Sequence, residues 1–271
     1  MRPFAQKENK YMEKQNRFNW KVFLVLWGAS IFGSLAVLPY ALTLQATTLE
    51  KITATVPLSV IVTAQVIQSV VLFGIATALG LLLAKRIGLG APLLERFFAG
   101  QKVADHIKPF LLPVILFGAV GGLIIIGLDK FVFMPALATQ LAQEGGSQTT
   151  TPWQGFLASF YGGISEEVLL RLFLMSLLAW LGKFVSHTAD GKPTTGVLWI
   201  ANILAAILFG LGHLPATAAI MTITPLVVVR ALVLNGFLGI GFGYFYSKYG
   251  LESAMLSHFS ADIILHVVFS I

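Results

Sequence analysis

The residues able to do chemistry gather in the second half of the chain. Ser165-Glu166-Glu167-Val168-Leu169-Leu170-Arg171 places two carboxylates and a guanidinium inside the apolar stretch Trp153 to Leu181. A run of that length crosses a bilayer, and an ionisable group at mid-depth costs on the order of 3 kcal/mol, which marks it as functional by default. Glu167 and Arg171, four residues apart, share a helix face and can neutralise each other as a structural ion pair. Glu166 points about 100° away around the helix and is left free. Further along, Phe209 and His213 share one face of an apolar helix, and His258 and Asp262 share a face of another. The first three apolar spans carry no comparable cluster.

A carboxylate and a histidine that converge can activate water, the carboxylate taking a proton and returning it to a leaving amine. A second histidine can donate to the developing oxyanion. The chain has no cysteine, which removes thiolate nucleophiles, thiolate metal sites and disulfides together. It also lacks the G-x-S-x-G of a serine hydrolase and the H-E-x-x-H of a zincin. Direct attack of water on a peptide bond is the reaction left. Two other classes stay open: a transporter using Glu, His and Asp as a proton relay, and a non-catalytic membrane partner or self-immunity protein.

Positioning these groups is a task for membrane helices. Of 271 residues, 56% are hydrophobic and 11% charged, far from the globular norm of about 25% charged. The apolar runs lack period-2 alternation, so the spans are helices rather than barrel strands. The expected fold is an all-α, polytopic integral membrane helix bundle with an intramembrane polar cavity. Spans are expected over residues 19–44, 57–84, 109–128, 153–181, 195–214, 225–247 and 251–270. That makes seven, or eight if Pro215 to Thr224 forms a short helix. Residues 1–18 read as a polar cytoplasmic tail, residues 19–150 as three spans with an interfacial helix at Ala91 to Lys108, and residues 151–271 as the catalytic core. The stretch Gln143 to Pro152 reads as the loop between the two parts.

The formal charge of +6 lies mostly in loops and tail, so it reports topology rather than a nucleic-acid partner. An inside N-terminus assigns fourteen of the eighteen Lys and Arg to the cytoplasmic side: six through Lys21, five from Lys85 to Lys108, then Lys183, Lys192 and Lys248. Lys51 and Lys130 fall outside, and Arg171 and Arg230 lie within spans. Arg230 is expected to pair with a carboxylate or carbonyls, Asp129 to belong to the outer interface, and His266 to be interfacial. At 1.5 Å per residue, Glu166 lies about 20 Å below the outer end of its span and His213 about 26 Å above the inner end of its own. Those depths agree in a bilayer about 40 to 45 Å thick. His258, about 11 Å from a cytoplasmic turn at Gly250, calls for a turn sunk into the membrane or for strong tilt.

Taken in order, the Glu-Glu-x-x-x-Arg of Glu166, Glu167 and Arg171, the Phe-x-x-x-His of Phe209 and His213, and the His-x-x-x-Asp of His258 and Asp262 resemble the three motifs of the CPBP family. That family includes the type II CaaX prenyl endopeptidases and bacterial proteins linked to bacteriocin processing. The resemblance covers residues 153 to 270. It implies an intramembrane endopeptidase acting on a peptide or lipidated protein at the membrane. In it Glu166 and His213 would activate water, His258 and the residue at 262 would hold the oxyanion, and Glu167, Arg171 and Phe209 would support them. The same assignment favours chemistry without a metal or other cofactor, although a Glu, two His and an Asp are donor types that can bind zinc. Asp262 stands where the prenyl-processing enzymes typically carry Asn. An ionised carboxylate cannot donate to an oxyanion, so Asp262 must be protonated or act by orienting His258.

Overall fold

A computed structural model describes residues 18–144 and 149–269. The tail expected at residues 1–18 lies outside the described residues except for its last position. The helices are α1 (Trp20–Ala36), α2 (Leu38–Leu44), α3 (Ala46–Thr53), α4 (Leu58–Ile87), α5 (Pro92–Phe98), α6 (Ala104–Leu128), α7 (Met134–Glu144), α8 (Pro152–Phe160), α9 (Ser176–Gly182), α10 (Thr195–Gly212), α11 (Leu214–Ala218), α12 (Pro225–Tyr249) and α13 (Leu251–Asp262). Wider π-helical turns join several of them: Asp129–Phe133 after α6, Tyr161–Glu166 and Val168–Met175 between α8 and α9, and Ile263–Val268 after α13. No strand is present among the described residues.

Among the described residues, five helical runs are long and apolar enough to cross a membrane: Trp20–Leu44, Leu58–Ile87, Ala104–Ala142, Thr195–Ala218 and Pro225–Tyr249. The other two expected spans, α8 to α9 and α13 with its π-helical extension, hold the acidic residues Glu166, Glu167, Glu252 and Asp262. Outward side chains such as Val60, Ile67, Val71 and Ile75 on α4 are exposed in the monomer, the surface that lipid covers in a multi-pass membrane protein.

The segment from α8 to α9 is the centre of the bundle. Val168, Leu172, Met175 and Ala179 recur at helical spacing and are all fully buried. On one side it meets α1, whose buried stripe Val22, Leu26, Ser30, Gly33 and Ser34 is small enough for close approach. Ser165 Oγ donates to the Ser30 carbonyl at 2.9 Å. At its start, Gln154 accepts from the Thr151 backbone at 2.9 Å in a capping box, which satisfies otherwise orphaned amides. The Gln154 amide also donates to the Pro39 carbonyl at 3.0 Å and Thr43 Oγ1 at 2.8 Å, tying α8 to α2.

Two stretches differ from the sequence reading. The interfacial helix expected over Ala91 to Lys108 stops at Phe98, because the chain turns at Gly100 with φ 70°, a left-handed conformation that favours glycine. Residues from Ala104 onward already belong to α6. The turn at Gly250 is roofed by the remaining short helix: Leu251 N–H donates to the Gly90 carbonyl at 2.9 Å, and the Leu94 N–H donates to Glu252 Oε1 at 2.8 Å. Leu251, Ser253 and Ala254 are fully buried beneath it. At the other boundary, α7 runs to Glu144, so helix continues into the expected loop, of which residues 145–148 lie outside the described residues.

Candidate active site

Glu167 is the hub of the polar groups. Its Oε1 lies 3.0 Å from Arg171 Nη1 and accepts a 2.7 Å hydrogen bond from His258 Nδ1. The Arg171 contact is an ion pair without hydrogen-bond geometry, and both side chains are within 1% of full burial. Arg171 finds its directed bond elsewhere, donating from Nη2 to the Gly239 carbonyl at 2.9 Å. Its guanidinium faces the Phe209 ring at 5.0 Å and the Phe242 ring at 5.5 Å. Cation–π attraction of this kind strengthens where water is excluded. The expected pair of Glu167 and Arg171 is therefore present, and Glu167 has a second partner that spacing along one helix does not reveal.

With Nδ1 bound to Glu167, the other nitrogen of His258 points toward Glu166 and Asp262. Nε2 lies 3.7 Å from Glu166 Oε2 and 3.6 Å from Asp262 Oδ1, near enough for charge interaction and too far for a hydrogen bond. The imidazole is stacked on Phe242, with centroids 4.5 Å apart and planes 18° apart. Phe209 meets it edge-on at 5.6 Å. The orientation of His258 is thus fixed by Glu167 on one nitrogen and two phenyl rings, more than by Asp262.

His213 enters from α10 at its C-terminal end. Its Nδ1 donates to the Phe209 carbonyl at 2.8 Å, which in the neutral ring leaves Nε2 as an acceptor. The same Phe209 ring packs edge-on against it at 4.7 Å. Glu166 and His213 do not touch one another, yet both border one cavity of about 420 Å³ that also exposes His258 and Asp262. The structure therefore brings together Glu166, His213, His258 and Asp262, with Glu167, Arg171 and Phe209 beneath them.

Close approach of α13 to the Glu166 segment depends on Gly162. A Cβ there would collide with Asp262 Oδ2 and come within 3.1 Å of His258 Nε2. The adjacent glycines of Tyr161-Gly162-Gly163 permit this contact, and the sequence reading did not single them out. Tyr161, Tyr40 and Asn235 also border the cavity, and no motif pointed to them. His266 lies on the cavity wall as well, its Nδ1 3.1 Å from the Tyr40 hydroxyl, so it is part of the site's surroundings. Asp129 and Arg230 form a two-pronged pair across the cavity's far wall, at 2.6 and 2.7 Å, which meets the expectation of a carboxylate partner for Arg230.

Zinc is a test for a set of Glu, His and Asp. Among the described residues, no three His, Asp or Glu side chains converge as a metal shell.

Residues 148–264 match the family model of the Rce1-like type II CAAX prenyl endopeptidases. The matched stretch contains Glu166, Glu167, Arg171, Phe209, His213, His258 and Asp262, and it bears out the resemblance read from the three motifs. Neither a curated protein nor a solved structure matches the chain.

Proposed function

We propose that the protein is an intramembrane endopeptidase that hydrolyses a peptide bond of a membrane-associated peptide with water activated by Glu166 and His213. The observation that carries this reading is that both groups border the cavity that also exposes His258, whose Nδ1 is held by Glu167 at 2.7 Å. Glu166 takes a proton from a water molecule as its oxygen attacks the scissile carbonyl carbon, and the Nε2 of His213 accepts a hydrogen bond that aligns the same water. The carbonyl oxygen becomes an oxyanion, to which His258, acting as the doubly protonated imidazolium with its Nδ1–H on Glu167, donates from Nε2. The tetrahedral intermediate collapses with cleavage of the C–N bond. The proton on Glu166 passes to the leaving nitrogen, giving a carboxylic acid and an amine.

In this scheme Glu167 and Arg171 are positioning residues. Glu167 holds the Nδ1–H of His258, which fixes the ring's direction and favours its doubly protonated form, as a neighbouring carboxylate stabilises an imidazolium, and Arg171 balances the Glu167 charge. Asp262 lies beside Nε2 without holding it, so its part is electrostatic: it adds a second carboxylate next to the donating histidine. The volume of the cavity suits an extended peptide of a few residues, and its apolar wall of Val37, Leu44, Ile125 and Leu265 suits hydrophobic side chains or a lipid chain.

Peptide cleavage by purified protein is the test. Glu166→Gln keeps the shape but cannot take the proton, so turnover should fall at least about 100-fold with the melting temperature near wild type. His213→Ala should be similarly inactive, and the double variant barely worse than either single, because groups acting on one water are not additive. Activity retained within a few-fold in Glu166→Gln would remove the carboxylate as base. A cellular phenotype that survives Glu166→Gln unchanged would point instead to a non-catalytic partner.

A further inference from the structure

The cavity has a direction. Its lining includes both closed-in and open residues: Phe242 is 0% exposed, Phe209 4% and His258 5%, whereas the Arg230 side chain is 27% exposed and Ile220 37%. The closed end lies among Glu167, Arg171 and Phe242. The open end lies where α2 meets α3, where α11 follows His213, and where α12 begins, all of which contribute wall residues, including Gln45, Thr217 and Arg230.

Basic residues gather at the opposite end of the bundle. Lys21 lies over the Phe98 ring at 5.8 Å, Arg86 over the Trp180 ring at 6.0 Å, and the side chain of Lys192 lies beside Gly88. These contacts join the start of α1, the end of α4, helix α5, the end of α9 and the loop before α10 at one face. Lys85, Arg96, Lys183 and Lys248 belong to the same helix ends and loops. The end that holds the mouth carries Lys51 and Lys130 as its only Lys or Arg outside the cavity wall, among the described residues.

An excess of Lys and Arg in short loops marks the cytoplasmic side of a membrane protein. We infer that the cavity opens on the extracytoplasmic face, so that the peptide bond reaching Glu166 belongs to a segment lying outside the cytoplasm, not to a cytosolic C-terminus. The juxtaposition behind this is simple: the opening past Asp129 and Arg230 points away from the cationic face. The substrate class becomes a translocated or outward-facing membrane peptide, with its apolar side chains or lipid chain against the Val37, Leu44 and Leu265 wall. The peptide-substrate part rests on the proteolytic reading above, whereas the direction of the mouth does not.

The absence of cysteine from the chain makes a direct experiment possible. Single cysteines are placed in the full-length protein at exposed positions near the mouth, Ala46→Cys and Ala218→Cys, and in the cationic loop, Ala189→Cys. Each is labelled with a membrane-impermeant maleimide in intact cells, and the signal is divided by that of the same variant in detergent. The expected ratio is near one for Ala46→Cys and Ala218→Cys and near zero for Ala189→Cys. Ratios in the reverse order, or equal for all three, overturn the inference. The measurement does not depend on turnover, so loss of the proteolytic reading in the Glu166→Gln assay would leave it standing, and the converse also holds.

Discussion

Glu167 illustrates how one carboxylate oxygen can serve two partners. Arg171 and His258 both address Oε1, while Oε2 is buried without a hydrogen-bond partner. Removing the cation alone leaves that carboxylate uncompensated, so Arg171→Ala should cost about 3 to 5 kcal/mol. Replacing both members with apolar side chains, Glu167→Met with Arg171→Met, should recover part of the melting temperature, since buried pairs exchanged for well-packed hydrophobic groups are often tolerated. Turnover should nevertheless stay depressed by at least about tenfold, because His258 has lost the carboxylate that holds its Nδ1–H and favours the doubly protonated ring. Thermal melting in detergent and peptide cleavage, measured on the single and double variants, separate the two effects. Recovery of both stability and turnover would show that Glu167 matters only as a counter-charge.

At the level of helices, the spacing of Glu167 to Arg171, Phe209 to His213 and His258 to Asp262 was legible in the sequence because residues four apart stack on any helix. The bond from His258 to Glu167 spans 91 positions and the pair of Arg230 with Asp129 spans 101, so no local period could announce them. The break at Gly100 went unread because a single glycine in an amphipathic pattern does not declare its φ. The glycines of the Tyr161–Glu166 turn are more consequential. Gly162→Ala would press a methyl group onto Asp262 and His258, an overpacking that typically costs about 1 to 3 kcal/mol. It should lower both melting temperature and turnover. Gly127→Ala, on α6 with nothing within 4 Å of the added carbon, should leave both near wild type. Equal behaviour of the two variants would mean that α13 can retreat without harm to the site.

For the molecule as a whole, the motifs lie after residue 150, yet the first spans form part of the site's enclosure. Val37, Tyr40, Ala41, Leu44 and Ile125 are wall residues, and Ser30 accepts from Ser165 at 2.9 Å. The polar groups that border the cavity were legible in the sequence because charges in an apolar chain are conspicuous. It was silent on the enclosure because apolar wall residues look like any other packing surface. A fragment of residues 149–271 expressed alone should therefore have no peptidase activity, and co-expression with residues 1–148 should restore it in part. Cleavage by the isolated fragment at the full-length rate would show that the early spans are dispensable.

Arg171 belongs to the helix segment of Glu166, bonds the backbone of α12 at Gly239, and faces rings from α10 and α12. A side chain shared in this way acts as a rivet through three helices. Loosening any one of them would expose a bare guanidinium to hydrocarbon, so these three must travel as a single block in thermal motion. Helix α2 is held differently, by the Gln154 amide on the Pro39 carbonyl at 3.0 Å and Thr43 Oγ1 at 2.8 Å. A guest that enters the cavity therefore meets Glu166, Phe209 and Phe242 on helices that the Arg171 side chain holds in register.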